Sequence, residues 1–143
     1  MRKFPILMLL FVAMASTAFA QSKDAVVGKW LNPSGEGQIE IYKKADKYYG
    51  KLAWLKEPNT NGKPKVDAKN PNTNLQNRPL LNLEILKDFV YEDGKWTNGT
   101  IYDPKSGKTY SCNISLKGND VMTVRGYIGI SLLGRSENFK RVK

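Results

Sequence analysis

The aspartate, arginine and aromatic side chains of this sequence are the ones best suited to bind or transform a ligand. Asp67 and Asp103 can accept hydrogen bonds from ligand hydroxyl groups. Arg78 and Arg125 can hold a carboxylate or a phosphate through two parallel N–H donors. Tyrosine and tryptophan rings would supply apolar walls that end in a hydrogen-bonding group. These residue types predict a site for a small, partly apolar or anionic ligand.

Three candidate side chains at the predicted turn of residues 103–107 also have a structural interpretation. Asp103 precedes Pro104, and an Asp that opens a turn accepts hydrogen bonds from backbone N–H groups. Tyr102 and Tyr110 flank the same turn, so they can pair across a hairpin. For Asp103 we expect the structural role.

Asp67 and Arg78 lie in residues 56–79, where four prolines and six asparagines exclude a regular strand or helix. A long loop inside a compact domain is usually functional or disordered. Because this segment mixes turn-forming residues with charged ones, we expect an ordered flap. We expect Asp67 and Arg78 to bond each other and pin that flap, with ligand contact as the alternative.

Arg125 lies on the opposite face of its strand from Met122 and Val124. It is therefore either outside the fold or part of a polar patch inside it. An unpaired buried arginine is very costly, so the inward position would require an acidic partner such as Asp103 or Glu84.

The absence of histidine excludes His-based triads and most zinc or copper sites. An enzyme here would use Asp67 or Asp103 with a Tyr or an Arg. We assign no catalytic residue, no cofactor and no metal. Cys112, the single cysteine, alternates with apolar residues in a strand, which predicts a small core residue and not a reactive thiol.

The first twenty residues have the three parts of a secretory signal peptide. Arg2 and Lys3 precede an apolar run from residue 6 to 15, and small residues stand two apart before Gln21. We expect cleavage after Ala20, which makes residues 21–143 one exported domain, periplasmic or secreted. A membrane anchor is the alternative, but the run is shorter than the ~20 residues that span a bilayer.

Positive charge dominates the expected mature chain. Cleavage removes two of the 23 basic residues and none of the 13 acidic ones, which leaves a net charge of +8. Such a surface favours anionic partners, for example an acidic polymer or lipid headgroups of the cell envelope. The lysines are dispersed, as on an ordinary solvated surface. We expect no nucleic-acid partner and no membrane-spanning segment.

Short alternating runs separated by turn residues predict about eight strands. Asp103–Gly107 and residues 117–120 are strong hairpin signals. Residues 80–91 read as a strand, with a short helix as the alternative because apolar residues also fall at helical spacing. Sequential strands with short turns predict an all-β fold, a single antiparallel up-and-down barrel, with a two-sheet sandwich as the alternative.

The first strand opens with Gly28, a lysine and Trp30. This resembles the Gly-x-Trp opening of lipocalin-like (calycin) barrels, in which the tryptophan plugs one end beneath a basic residue of the last strand. Arg141 stands where the resemblance places that basic residue. The resemblance therefore implies a plug of Trp30 and Arg141 at one barrel end.

Longer motifs resemble the bacterial domain of unknown function (DUF) family 2147 in order along the expected mature chain. They are the segments 49–55, 78–80, 99–110, 124–129 and 133–135, with Asp67 and Asn70-Pro71 between the first two. The resemblance implies an exported lipocalin-like barrel and no established activity. Phe139 departs from the pattern, which has a tryptophan before the final basic residue.

The family-like positions and the chemistry above give one candidate set at a barrel mouth. The candidate ligand-binding residues are Trp54, Asp67, Arg78, Tyr102, Asp103, Tyr110, Arg125 and Tyr127. The leading hypothesis is a binding module for a small-molecule or lipid-like ligand. The alternatives are a cell-envelope interaction protein that uses its basic surface and a histidine-free enzyme that depends on carboxylates.

Overall fold

The computed structural model describes residues 22–129 and 134–143, so the predicted signal peptide of residues 1–20 lies outside the described residues. Ten strands are present in this part of the chain. They are β1 (Gly28–Leu31), β2 (Gly37–Lys44), β3 (Lys47–Leu55), β4 (Asn59–Thr60), β5 (Lys63–Pro64), β6 (Glu84–Glu92), β7 (Lys95–Asp103), β8 (Lys108–Lys117), β9 (Val121–Tyr127) and β10 (Gly134–Arg141).

Eight of these strands close into an antiparallel barrel in the order β1-β10-β9-β8-β7-β6-β3-β2. Strands adjacent in the barrel follow one another along the chain, except that β4 and β5 lie between β3 and β6. Strand β1 closes the cylinder by pairing Trp30 with Arg141 and Leu31 with Lys140. The predicted up-and-down barrel is therefore confirmed, and the sandwich alternative is wrong. Closure leaves the eight barrel strands without an unpaired edge.

The interior of the barrel is filled where β3, β6 and β7 meet. A β-carbon on Gly99 would lie 2.5 Å from ring carbons of Phe89, and one on Gly50 would lie 2.8 Å from Leu86. Phe89 and Leu86 are fully buried. Glycine at two inward positions thus makes room for two large side chains, and this region holds no ligand-sized space.

Cys112 confirms the alternation expected for β8, because it is fully buried within the core. Burial raises the pKa of its thiol to about 12, so the thiol stays protonated at neutral pH and is not a nucleophile. The helix alternative for residues 80–91 is wrong. Glu84–Glu92 is the strand β6, and its pairing with β3 and β7 overrides the helical spacing of the apolar residues.

One end of the barrel, which we call the closed end, is covered by the 3-10 helix Lys23–Val26. The Trp30 indole Nε1 donates to the Val26 carbonyl at 2.9 Å, and the Trp96 Nε1 donates to the Lys23 carbonyl at 2.9 Å. The Arg141 guanidinium lies 4.2 Å from the centre of the Trp30 ring and donates to the Ala25 carbonyl. Two buried indoles thus hold the helix across this end.

Residues 56–79, which we call the flap, join β3 to β6 at the other end. The flap contains the two-residue strands β4 and β5, the 3-10 helix Thr73–Leu75 and a bridge between Val66 and Pro79. Apart from these short pieces it has no regular secondary structure, as its prolines and asparagines predict. The backbone N–H of Leu80 donates to the Lys65 carbonyl at 3.0 Å, which closes the base of the flap.

No helix in the described ranges is long and apolar enough to cross a membrane. The described residues also contain no group of three or more cysteine or acidic side chains that could hold a metal ion.

Candidate functional site

The open end of the barrel is the end where the flap, the β1–β2 turn and the β7–β8 turn lie. Most of the predicted site residues are in the strands and loops that meet there. The structure divides them among four places: an anchor beneath the flap, the β7–β8 turn, the inward face of the barrel mouth, and the outward face of the strands.

The flap anchor is built around the fully buried carboxylate of Asp67. Its Oδ1 accepts from the Tyr102 hydroxyl at 2.5 Å. Its Oδ2 accepts from Arg78 Nε and from Asn70 Nδ2, each at 2.8 Å. Backbone bonds reinforce the cluster, because the Asp67 N–H donates to the Arg78 carbonyl at 2.9 Å. Three donors from the flap and from β7 therefore converge on one carboxylate.

The electrostatics of the anchor keep Asp67 ionised and Tyr102 protonated. Burial raises the pKa of Asp67, but the hydrogen bonds from Tyr102, Asn70 and Arg78 outweigh it, so the net pKa lies below the usual value. Burial and the hydrogen bond to Asp67 raise the pKa of Tyr102 to about 12. A saturated carboxylate with no exposed surface is suited to hold the flap and not to contact a substrate.

The flap also rests on the β7–β8 turn. A β-carbon on Gly107 would collide with the Lys69 carbonyl oxygen, and Gly107 has a φ of +73°. Only glycine combines this conformation with so close an approach. The sequence analysis predicts only a turn role for Gly107 and no anchor role for Asn70. For Asn70, the one signal in the sequence is the Asn70-Pro71 pair.

Asp103 lies outside the anchor and caps the β7–β8 turn. Its Oδ1 accepts from the Lys105 backbone N–H at 3.0 Å, and its Oδ2 accepts from the Ser106 hydroxyl at 2.9 Å. The turn role expected for Asp103 is thus the one that the structure shows. Asp67 and Asp103 do not face a common cavity, so the geometry that a two-carboxylate enzyme would need is not formed by these two residues.

Tyr102 and Tyr110 do not pair across the hairpin, which corrects the sequence prediction. Tyr102 is opposite Thr109, whereas Tyr110 is opposite Ile101. The two tyrosines are one residue out of register, and side chains alternate between faces along a strand. Tyr102 therefore joins the flap anchor, while Tyr110 shares the inward face with Ile101.

The mouth of the barrel is formed by partly exposed side chains at inward positions above the buried core. Ile101 and Tyr110 lie there with Leu52, which pairs with the buried Ile39. A β-carbon on Gly126 would lie 3.5 Å from Ile101 Cγ2 and 3.7 Å from Tyr110 Cβ, both ordinary contacts. We call this set of partly exposed inward side chains, Leu52, Ile101 and Tyr110, the cup.

Two charged residues that the sequence analysis missed lie on the inward face of β10. Arg135 is opposite Gly126 and Glu137 is opposite Val124. Arg135 Nη2 lies 2.6 Å from Glu137 Oε1. Their i, i+2 spacing was the available signal, because it places them on the face of the buried Phe139.

Arg125 and Tyr127 lie on the outer wall of β9. Arg125 is opposite Asn113 and Ser136, and its Nη1 donates to the Ser136 hydroxyl at 3.1 Å. The inward alternative, with Asp103 or Glu84 as the partner, is therefore wrong. Glu84 instead accepts a hydrogen bond from the Tyr42 hydroxyl.

Trp54 does not share the inward face of Leu52, although strict alternation along β3 predicts it. The register of β2 against β3 shifts between Gln38 and Ile39, so Leu52 pairs with Ile39 but Trp54 pairs with Gln38. Such a bulge reverses the facing of the residues beyond it. Trp54 is 41% exposed at the end of the strand.

Comparison with known proteins gives a family and a structural neighbour. Residues 28–141 match the model of a family described as "uncharacterized protein conserved in bacteria (DUF2147)". No curated protein matches the chain. A solved structure of protein HP1028 from the human pathogen Helicobacter pylori, described as belonging to the lipocalin family, is similar with a TM-score of 0.73. It is 20% identical, and the likeness covers 82% of this chain and 83% of that one.

Proposed function

Because the chain belongs to the DUF2147 family and folds as a lipocalin-like barrel, we propose that it binds a small, partly apolar or anionic ligand at the barrel mouth. The observation that carries this proposal is the cup, because its side chains, Leu52, Ile101 and Tyr110, face inward at the open end and are partly exposed.

The filled interior limits how deeply such a ligand can enter. Phe89 and Leu86 occupy the space that Gly99 and Gly50 leave open. Below the mouth, Ile39, Cys112 and Val124 are buried. The ligand would therefore rest in the cup at the open end and would not be enclosed in a central cavity.

The chemistry of the cup suits an amphipathic molecule. Leu52, Ile101 and the Tyr110 ring would cover an apolar portion, and burying that surface favours binding by roughly 25 cal/mol per Å². The Tyr110 hydroxyl and the Arg135–Glu137 pair would meet a polar portion at the rim. The flap anchor contributes by fixing the loop beside the cup, not by touching the ligand.

Native mass spectrometry of the natively exported protein, purified without unfolding, tests this function. We expect an adduct of small-molecule mass that is lost when the protein is unfolded under mild conditions. The released compound would then be identified by its mass. A spectrum that contains only the apo protein, with no thermal shift against lipid and metabolite panels, would reject the proposal.

We also propose that the protein works outside the cytoplasm, as the signal-peptide pattern of residues 1–20 suggests. Expression of the full chain in a bacterial host and determination of the N-terminal residue of the extracytoplasmic protein test this point. We expect the product to begin at Gln21. An uncleaved product that stays in the cytoplasm would contradict the proposal.

A further inference from the structure

The outer wall of β8, β9 and β10 has an unusual composition for a protein rich in charged residues. We call these positions the polar wall; they are the outward residues of the three strands other than Thr109, Val121 and Gly134. They are Ser111, Asn113, Ser115, Lys117, Thr123, Arg125, Tyr127, Ser136, Asn138 and Lys140. Hydroxyl and amide groups predominate, and none of the residues is acidic.

Strand register sets these side chains in rows across the wall. Asn113, Arg125 and Ser136 form one row, and the Arg125 guanidinium donates to the Ser136 hydroxyl at 3.1 Å. In the next row Thr123 donates to Asn138 Oδ1 at 2.8 Å. The wall is thus a continuous array of hydrogen-bonding groups that carries positive charge.

The opposite wall of the barrel is different. Its outward face carries lysines together with two acidic residues, Glu40 of β2 and Glu84 of β6. Lys44 Nζ lies 3.7 Å from Glu84 Oε2, and Lys51 is opposite both acidic residues. Positive charge is therefore balanced locally on the opposite wall, whereas the polar wall has cations and no acid of its own.

A depression adjoins the polar wall at the seam between β10 and β1. Its volume is about 180 Å³, and it is lined by Leu31, Asn138, Lys140 and residues 32–35 of the β1–β2 turn. A cavity of ~150 Å³ can hold a benzene-sized ring. The depression therefore has room for one six-membered ring, with an apolar side chain, an amide and an ammonium group around it.

We propose that the polar wall and this depression bind a polysaccharide that carries carboxylate groups, such as a uronic-acid polymer. Hydroxyl and amide side chains match the donors and acceptors of sugar hydroxyls. Lys117, Arg125 and Lys140 attract the carboxylates, and the absence of acidic side chains removes repulsion. The Tyr127 ring offers an apolar surface to a sugar face. This surface is separate from the barrel mouth.

Binding of residues 21–143 to alginate, with uncharged dextran as the reference polymer, tests the proposal. We expect saturable binding to alginate and none to dextran. The double variant Lys117→Gln/Lys140→Gln should bind alginate about two- to thirtyfold more weakly, since it removes two exposed ion pairs with the polymer.

The matched control is Lys47→Gln/Lys51→Gln on β3, which removes the same charge from the opposite wall. We expect its affinity to change less than twofold. An equal loss in both variants would show general charge attraction and overturn the proposal. The same holds if alginate does not bind, if dextran binds equally well, or if vesicles of anionic phospholipid bind through the same two lysines with higher affinity.

Discussion

The closed and open ends of the barrel use aromatic residues in opposite ways. At the closed end, Trp30 and Trp96 are fully buried, and each indole N–H bonds to a backbone carbonyl of the 3-10 helix Lys23–Val26. At the open end, Tyr110 is only partly buried and Trp54 is 41% exposed. The same residue class therefore stabilises one end and offers surface at the other.

This difference separates stability from function along the barrel axis. Large buried rings contribute most to the free energy of unfolding, and substitution there is costly. Partly exposed inward residues contribute less and remain available to a ligand. Substitutions at the two ends should consequently give different results, large losses of stability at the closed end and losses of binding at the open end.

The largest expected effect is that of Trp30→Ala. Removing this ring leaves a cavity beneath Arg141 and eliminates the bond to Val26, so the free energy of unfolding should fall by about 3–5 kcal/mol. Urea unfolding followed by far-UV circular dichroism measures it. A loss below about 1 kcal/mol would mean that this end does not depend on the plug.

Two glycine substitutions compare the filled interior with the mouth directly. Gly99→Ala should cost about 1–3 kcal/mol, because its β-carbon would overlap the Phe89 ring. Gly126→Ala should change the unfolding free energy by under about 0.5 kcal/mol, since its β-carbon meets neighbours at ordinary distances. Equal costs in the same urea experiment would contradict the distinction between a filled interior and an open mouth.

The flap anchor predicts a specific dependence of stability on pH. The folded pKa of Asp67 is lowered, so its stabilising contribution is present above the unfolded value of about 3.9 and is lost as pH falls through the folded pKa. Asp67→Asn should cost about 1–3 kcal/mol at pH 7 and remove part of the acid sensitivity.

Urea midpoints measured from pH 6 to pH 2 test this effect of Asp67. Asp120→Asn is a suitable control, because Asp120 pairs with the exposed Lys143 at the molecular surface. The control should keep the wild-type pH profile. An Asp67→Asn profile that parallels the wild-type one at every pH would show that the anchor does not hold an ionised carboxylate.

Local patterns in the sequence predict the barrel well but only part of the site. Alternation in β8 places Cys112 in the core, and the turn signal at Asp103 predicts its capping role. The same alternation wrongly predicts that Trp54 faces inward, because a bulge next to its partner Gln38 turns its side chain to the other face of β3. The pattern of apolar residues in the sequence does not predict such a bulge.

Contacts between distant segments are the other source of error. The bond from Tyr102 to Asp67 joins residues 35 positions apart, and it depends on how the flap folds back onto β7. The register of β7 against β8 places the Tyr102 and Tyr110 side chains on opposite faces of the sheet. Both features follow from tertiary packing and hairpin register, which residue spacing alone does not determine.

The most direct test of ligand binding at the mouth compares Gly126→Leu with Thr100→Leu. The first variant fills the cup between Ile101 and Tyr110, and the second places the same side chain on the outward face of β7. Native mass spectra of both exported variants would be recorded beside that of the wild type. We predict that Thr100→Leu keeps the co-purifying ligand and that folded Gly126→Leu loses it. Retention of the ligand by Gly126→Leu would contradict binding at the barrel mouth.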